Sequence, residues 1–198
     1  MGTWRMRPPW DPQEDVVSCW KSAVSSFTRV TAAVPDASAA EVERRMKAHN
    51  CVNLHGRTRG GLKMGRRSRA RTLGFLHSEF GLTNDQINRD KEKLAHRKSA
   101  SEDEVSIRRD LISVGYLGAA LSKSHVVLAY NQTPGSWWHN VVVYGVDNLW
   151  MCAMDPLAYV DEDPDCVLRI QDGMYYRQYR MRDWAPRVHD WLILWKHW

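Results

Sequence analysis

The chain has 198 residues, enough for one domain with a sizeable core. Hydrophobic residues make up 43% and charged residues 26%, ordinary globular values that exclude wholesale disorder. No apolar run nears the roughly 18 residues a membrane-crossing helix needs, and the opening MGTWRMRPPWDPQED lacks the apolar core of a secretory signal. The net charge of +5 is unevenly placed: residues 43–71 carry ten Lys and Arg against one acid, Glu43, so that segment is +9 and the rest of the chain −4.

In chain order, Trp20, Ala23, Val24, Phe27 and Val30 recur at helical spacing and predict a helix over 19–30. Ser38-Ala-Ala-Glu41 reads as a capping box that opens a helix through Val42 and Met46. Residues 50–70, with four glycines among arginines, read as a loop. Leu73, Leu76, His77 and Phe80 keep helical spacing again, with Gly81 as the stop. Thr83-Asn-Asp-Gln86 and Ser101-Glu-Asp-Glu104 are read as two more capping boxes, the second helix ending near Gly115.

The pattern changes after Lys123. His125-Val-Val-Leu-Ala-Tyr130 is a β-type run, and Val141-Val-Val-Tyr144 and Leu149-Trp-Met-Cys-Ala153 flank turn residues as a hairpin. Further strands are expected around 167–170, 175–181 and 191–195. Helices first and strands later describe an α+β domain. Four cysteines (Cys19, Cys51, Cys152, Cys166) are too few for a disulfide framework, and a reducing compartment suits them.

Two clusters can carry chemistry. Cys19 opens the first predicted helix, where the partial positive charge of a helix N-terminus favours thiolate over thiol. Gln13, six residues upstream, can set its amide N–H beside the Cys19 backbone N–H as an oxyanion-stabilising pair. The second cluster is His139 and Asp155, at the open end of the hairpin. A two-residue loop at Asp147-Asn148 puts them on opposite faces. A three-residue loop, or a bulge, brings them together. Paired, Asp155 orients the imidazole and His139 takes the thiol proton.

Gln13…Cys19-Trp20 and His139-Asn-Val-Val-Val-Tyr-Gly-Val-Asp147…Met154-Asp155-Pro156 resemble the papain-like cysteine peptidases, nearest to compact bacterial members of the avirulence-effector type. The segments that carry the resemblance span about 10–30 and 125–157. The resemblance implies a helical N-terminal lobe (about 11–122, with a basic loop at 56–71) packed against an antiparallel, β-barrel-like C-terminal lobe (about 123–198). It implies Cys19 as nucleophile, His139 as base then acid, Asp155 as orienter, Gln13 as oxyanion donor, and Trp20 and Trp138 at the substrate cleft. It also implies a protein or peptide substrate, no cofactor and no metal. The expected location is cytoplasmic, or secreted or delivered into a host cell without a classical signal peptide. Asn140 departs from the family pattern, in which a small residue often follows the histidine, and the aromatic pair Trp137-Trp138 is unusual.

Rival signals are weaker. His49, Cys51 and His55 have no second pair to close a tetrahedral metal site. The segment from Gly60 to Gly65 is followed by Arg66-Arg67, where a phosphate loop needs Lys-Ser/Thr. His125 opens a strand but has no acidic partner in a comparable hairpin, and no serine-hydrolase elbow occurs. Two alternatives stand beside the peptidase: a glutamine deamidase or acyltransferase built on the same residues, and a silent module that binds an anionic partner through 56–71.

Overall fold

A computed structural model of the chain describes residues 2–15, 17–32, 37–53, 61–64, 68–84, 111–132, 138–158 and 166–196. The first expected helix is α1 (Cys19–Thr31), closed by Ala32 in the left-handed region at φ 51°. Helix α2 (Ala39–Ala48) starts where the Ser38 hydroxyl accepts the Glu41 N–H at 3.2 Å. The Glu41 carboxylate turns to Arg44 and Arg45, each at 2.7 Å, rather than back to the cap. Helix α3 (Arg69–Phe80) stops at Gly81, whose φ of 66° suits a residue without Cβ.

Thr83 lies in a two-residue strand, β2 (Leu82–Thr83), paired with the C-terminal strand, and the helix expected from Thr83-Asn-Asp-Gln86 lies outside the described residues. One expectation fails beyond this point. Gly115 does not end a helix but sits inside one, α4 (Val114–Lys123), which begins where Ser113 Oγ accepts the Tyr116 N–H. Leu117, Ala120 and Leu121 carry its buried stripe. The helix expected from Ser101 lies outside the described residues as far as residue 110. The loop at 50–70 is described only in part: Val52 and Leu62 form a single antiparallel bridge.

The remaining strands follow the alternation and β-branched runs of the sequence: β3 (Val126–Asn131), β4 (His139–Val146), β5 (Trp150–Met154), β6 (Cys166–Gln171), β7 (Met174–Arg180) and β8 (Asp190–Lys196). A one-turn helix, α5 (Met181–Trp184), and a 3₁₀ turn link β7 to β8. With β1 (Thr3–Trp4) laid on β4, these form one eight-stranded antiparallel sheet of order β2-β8-β3-β4-β5-β7-β6. The sheet is antiparallel as expected but open, not barrel-like. Its ends are the short β2 and the exposed β6, where Val167, Leu168 and Ile170 face solvent.

The described helices lie on both faces of the sheet. Trp20, Val24 and Phe27 of α1, Val42 and Met46 of α2, and Leu73 and Leu76 of α3 pack with Val127, Val142, Tyr144 and Met154 on one sheet face. Leu117 and Leu121 of α4, with Met181 and Trp184, pack on Leu128, Val141, Val143 and Tyr179 of the other. Central strands covered on both faces must be apolar at every position, which explains the unbroken Val run in β4. Among the described residues no helix is long and apolar enough to cross a membrane.

The β4–β5 hairpin decides the geometry of the site. Its loop is Asn148-Leu149, one residue later than expected, closed by the Asp147 N–H on the Trp150 carbonyl at 2.9 Å. Asp147 Oδ1 braces it by accepting the N–H groups of Leu149 and Trp150. Val146 then pairs with Met151 and Gly145 with Cys152, a register that would put His139 and Asp155 on opposite faces. A bulge at Tyr144 shifts the pairing by one, to Val143 with Ala153 and Val142 with Met154. His139 and Asp155 therefore share a face as diagonal neighbours.

The N-terminal segment holds that bulge in place. The Tyr144 carbonyl accepts the Arg5 N–H at 2.7 Å, and Trp4 lies on Gly145, where an added Cβ would stand 2.2 Å from a ring carbon. Gly145→Val is expected to destabilise the fold by about 1–3 kcal/mol through overpacking. Urea unfolding reads this as a lower midpoint at unchanged slope, and a stability equal to wild type would refute the packing argument.

Candidate active site

Helix α1 is enclosed along its N-terminal two-thirds, and all residues from Cys19 to Thr28 are buried. So many hydroxyls in a core require partners. Ser22 donates to the Pro12 carbonyl, Ser26 to that of Pro9, Ser25 to that of Ala37, and Thr28 back to that of Ser25. The extended segment before α1 is thereby strapped along the helix. Lys21, buried on the same helix, bonds Glu14 and Glu43 at 2.8 Å each. Burial opposes its charge, but the two carboxylates outweigh that and raise its pKa. The pair of bridges ties the loop before Cys19 to α2.

At the start of α1, Ser18 does not cap the helix with its side chain. Its hydroxyl is engaged with Asp15 instead, accepting the N–H at 3.3 Å and donating to the carbonyl at 3.2 Å. The Ser18 carbonyl accepts the Lys21 N–H at 3.1 Å. Gln13 is buried in the same loop. Its backbone N–H donates to Pro156, one residue past Asp155, and its side-chain amide donates to the Asp15 carbonyl.

The Cys19 sulfur meets the start of β4. The thiol donates to the Trp138 carbonyl at 3.6 Å, and the Asn140 amide Nδ2 donates to the sulfur at 3.5 Å. His139, between them, has Nε2 on Asp155 Oδ1 at 2.8 Å, which leaves Nδ1 as the ring nitrogen available to the sulfur. Burial disfavours a charged imidazole here. The Asp155 charge and hydrogen bond outweigh it, with a smaller contribution from Cys19, and the His139 pKa is raised to about 10. The imidazole side chain remains 19% exposed while Cys19 is only 3% exposed, so solvent reaches the pair from the ring side.

Asp155 is fully buried and saturated with donors. Oδ1 also accepts the Leu157 N–H at 2.8 Å, and Oδ2 accepts Tyr179 Oη–H at 2.6 Å with Arg177 Nη1 3.4 Å away. Burial opposes ionisation of the carboxyl, but His139, Arg177 and Tyr179 together hold its pKa well below the usual range. The Tyr179 pKa is pushed far up by burial and by that carboxylate. Tyr130 stands edge-on to His139 and to Trp184, and Trp184 packs on Tyr179, so aromatic rings wall the pair on the α4–α5 face.

Cys19, His139 and Asp155 are thus brought together, with Gln13 in the adjoining loop. Trp138 contributes its backbone carbonyl. Trp20 does not line a cleft: at 2% exposure it is part of the core under the sheet. His125, the rival base, is turned away with Nε2 on the Met6 carbonyl at 2.6 Å, and burial lowers its pKa. Sequence reasoning missed Arg177, Tyr179 and Tyr130 and noted Asn140 only as a departure from the family pattern. The signal for Arg177 and Tyr179 was strand alternation, which sets odd-numbered residues of β7 on the Asp155 face once the register is known.

The start of the basic segment is neutralised by acids of α2 and α3. Arg44 and Arg45 are paired with Glu41, Arg45 also with Glu79, and Lys47 with Glu43. Residues 54–60 and 65–67 lie outside the described residues. All four cysteines are free thiols. At the sheet end that carries His139, Gln132, Pro186, Arg187, Val188 and His189 line an open cavity of about 500 Å³. No protein-family model matches this chain, and no curated protein is significantly similar to it.

Proposed function

We propose that the protein is a thiol hydrolase that cleaves peptide bonds through a thioester, in the manner of the papain-like peptidases its motifs resemble. One observation carries this reading: Trp138, His139 and Asn140, just before and at the start of β4, meet the sulfur at a helix N-terminus, and the central one is an imidazole held by a buried, fully bonded carboxylate. A histidine serving only as a strand residue has no need of such a carboxylate.

In the proposed reaction the Cys19 proton passes to His139 Nδ1 and the sulfur attacks the substrate carbonyl carbon. The S–C bond forms as the carbonyl electron pair moves to oxygen, where the Cys19 N–H and the second amide proton of Gln13 receive it. Collapse expels the amine, which takes the proton from His139. Water, deprotonated by the same ring, then releases the acid and restores the thiol. Asp155 keeps Nε2 occupied, so Nδ1 does the proton transfer. The cavity beside β3 has room for a substrate side chain.

The test has two parts. Iodoacetamide at pH 6 is expected to label Cys19 well ahead of Cys51 and Cys152, whose thiols burial pushes up. A peptide library digested with wild type and Cys19→Ala then identifies the reaction. New peptide ends in wild type alone support hydrolysis, and glutamine-to-glutamate conversion alone reassigns the site to deamidation. Equal labelling of all thiols, with neither product, overturns the proposal.

A further inference from the structure

Asn140 plays no part in the triad, yet its amide is among the nearest polar groups to the sulfur, donating at 3.5 Å from a position 4% exposed to solvent. Alternation along β4 sends the His139 and Asn140 side chains to opposite sides of the strand, so the sulfur is approached from two directions. The neutral thiol and the thiolate need opposite partners. A thiol donates, and Trp138 offers it a carbonyl; a thiolate only accepts, and there Asn140 supplies the N–H. A buried amide beside a buried sulfur leaves little room for water to take over that role.

Resting on the thiol-hydrolase reading above, we infer that Asn140 is a further catalytic residue, a side-chain donor that stabilises the Cys19 thiolate formed when the proton moves to His139. The proton shift leaves the Trp138 carbonyl without its donor, and the Asn140 N–H already on the sulfur becomes a hydrogen bond to an anion. No bond other than S–H breaks, and N–H forms at Nδ1. A donor of this kind favours the anion and also tempers it, because a hydrogen-bonded thiolate attacks more slowly than a bare one.

The test follows that double effect. In Asn140→Ala and the isosteric Asn140→Asp, Cys19 alkylation at pH 6 is expected to fall about tenfold or more, while the rate at pH 9 stays level or rises. A purely structural loss slows both equally and overturns the inference. Since either variant can misfold, the wild-type protein supplies an independent readout. The Asn140 side-chain ¹⁵N–¹H resonances should shift on S-alkylation of Cys19, and resonances that stay in place overturn it too. Selective labelling of Cys19 that is unchanged in both variants sinks this inference alone. Uniform labelling of the wild-type thiols sinks the hydrolase reading and this one with it.

Discussion

His139→Ala is expected to lower kcat/KM on the hydrolysed substrate by about 10⁴- to 10⁶-fold, with the protein still folded. The large loss follows from the ring's two roles: it takes the thiol proton and later supplies the proton that the leaving amine needs. The modest structural cost follows from its surroundings. Without the ring, Asp155 keeps Arg177, Tyr179 and the Leu157 N–H, so the carboxylate is not orphaned. In wild type the alkaline limb of activity should lie far above the ordinary histidine value of about 6.5. The imidazolium that receives the Cys19 proton is preserved until pH approaches its raised pKa of about 10. A pH–rate profile of kcat/KM checks this, and a descending limb near 6.5 would show that the Asp155 contact does not operate in the free enzyme.

The legible parts of the fold were those governed by local spacing. The apolar stripe from Trp20 to Val30 predicted α1 to within one residue at its end, and the β-branched runs predicted β3, β4 and β5. Capping was legible at Ser38, where the motif sits before a clear stripe. Ser113 was missed because Gly115 looked like a stop, although a glycine in the first turn costs a buried helix little. Part of the basic window is balanced by acids outside it, since Glu41 and Glu79 pair with Arg44 and Arg45.

The site was half legible for a similar reason. Cys19, His139 and Asp155 stand out as residue types, but whether two of them meet depends on parity along one hairpin. That parity is set by the bulge at Tyr144, and the bulge is held by Arg5 and Trp4 at the far end of the chain. No short-range pattern encodes a contact of that separation. Trp20, singled out for its place beside the cysteine, points the other way on the helix and spends its area on the core.

Asp155→Ala should be the most damaging single change to stability as well as to catalysis. It strips the counter-charge from Arg177, whose side chain is 4% exposed, and removes the acceptor from the buried Tyr179 hydroxyl. Breaking a buried ion pair from one side costs about 3–5 kcal/mol. For a chain of this size that lowers the melting temperature by about 6–20 °C. Asp155→Asn separates charge from geometry, since its carbonyl can still accept from Nε2–H and its amide can reach Tyr179, while Arg177 loses its anion. The sign of the pH effect follows from the two shifts. His139 is raised, so its stabilising share is complete below its unfolded value of about 6.5 and is lost as pH rises through about 10. Asp155 is lowered, so its share is complete above about 3.9 and is lost only as pH falls through its depressed folded value. Wild type should therefore be most stable between about pH 4 and 6.5 and weaken slowly above that range. Asp155→Asn should lose the slow alkaline decline, and its activity limb should fall back toward about 6.5. Thermal melts from pH 4 to 10 on both proteins decide it. Parallel curves offset by a constant would mean that the aspartate acts through packing alone and that its charge does not hold the imidazolium.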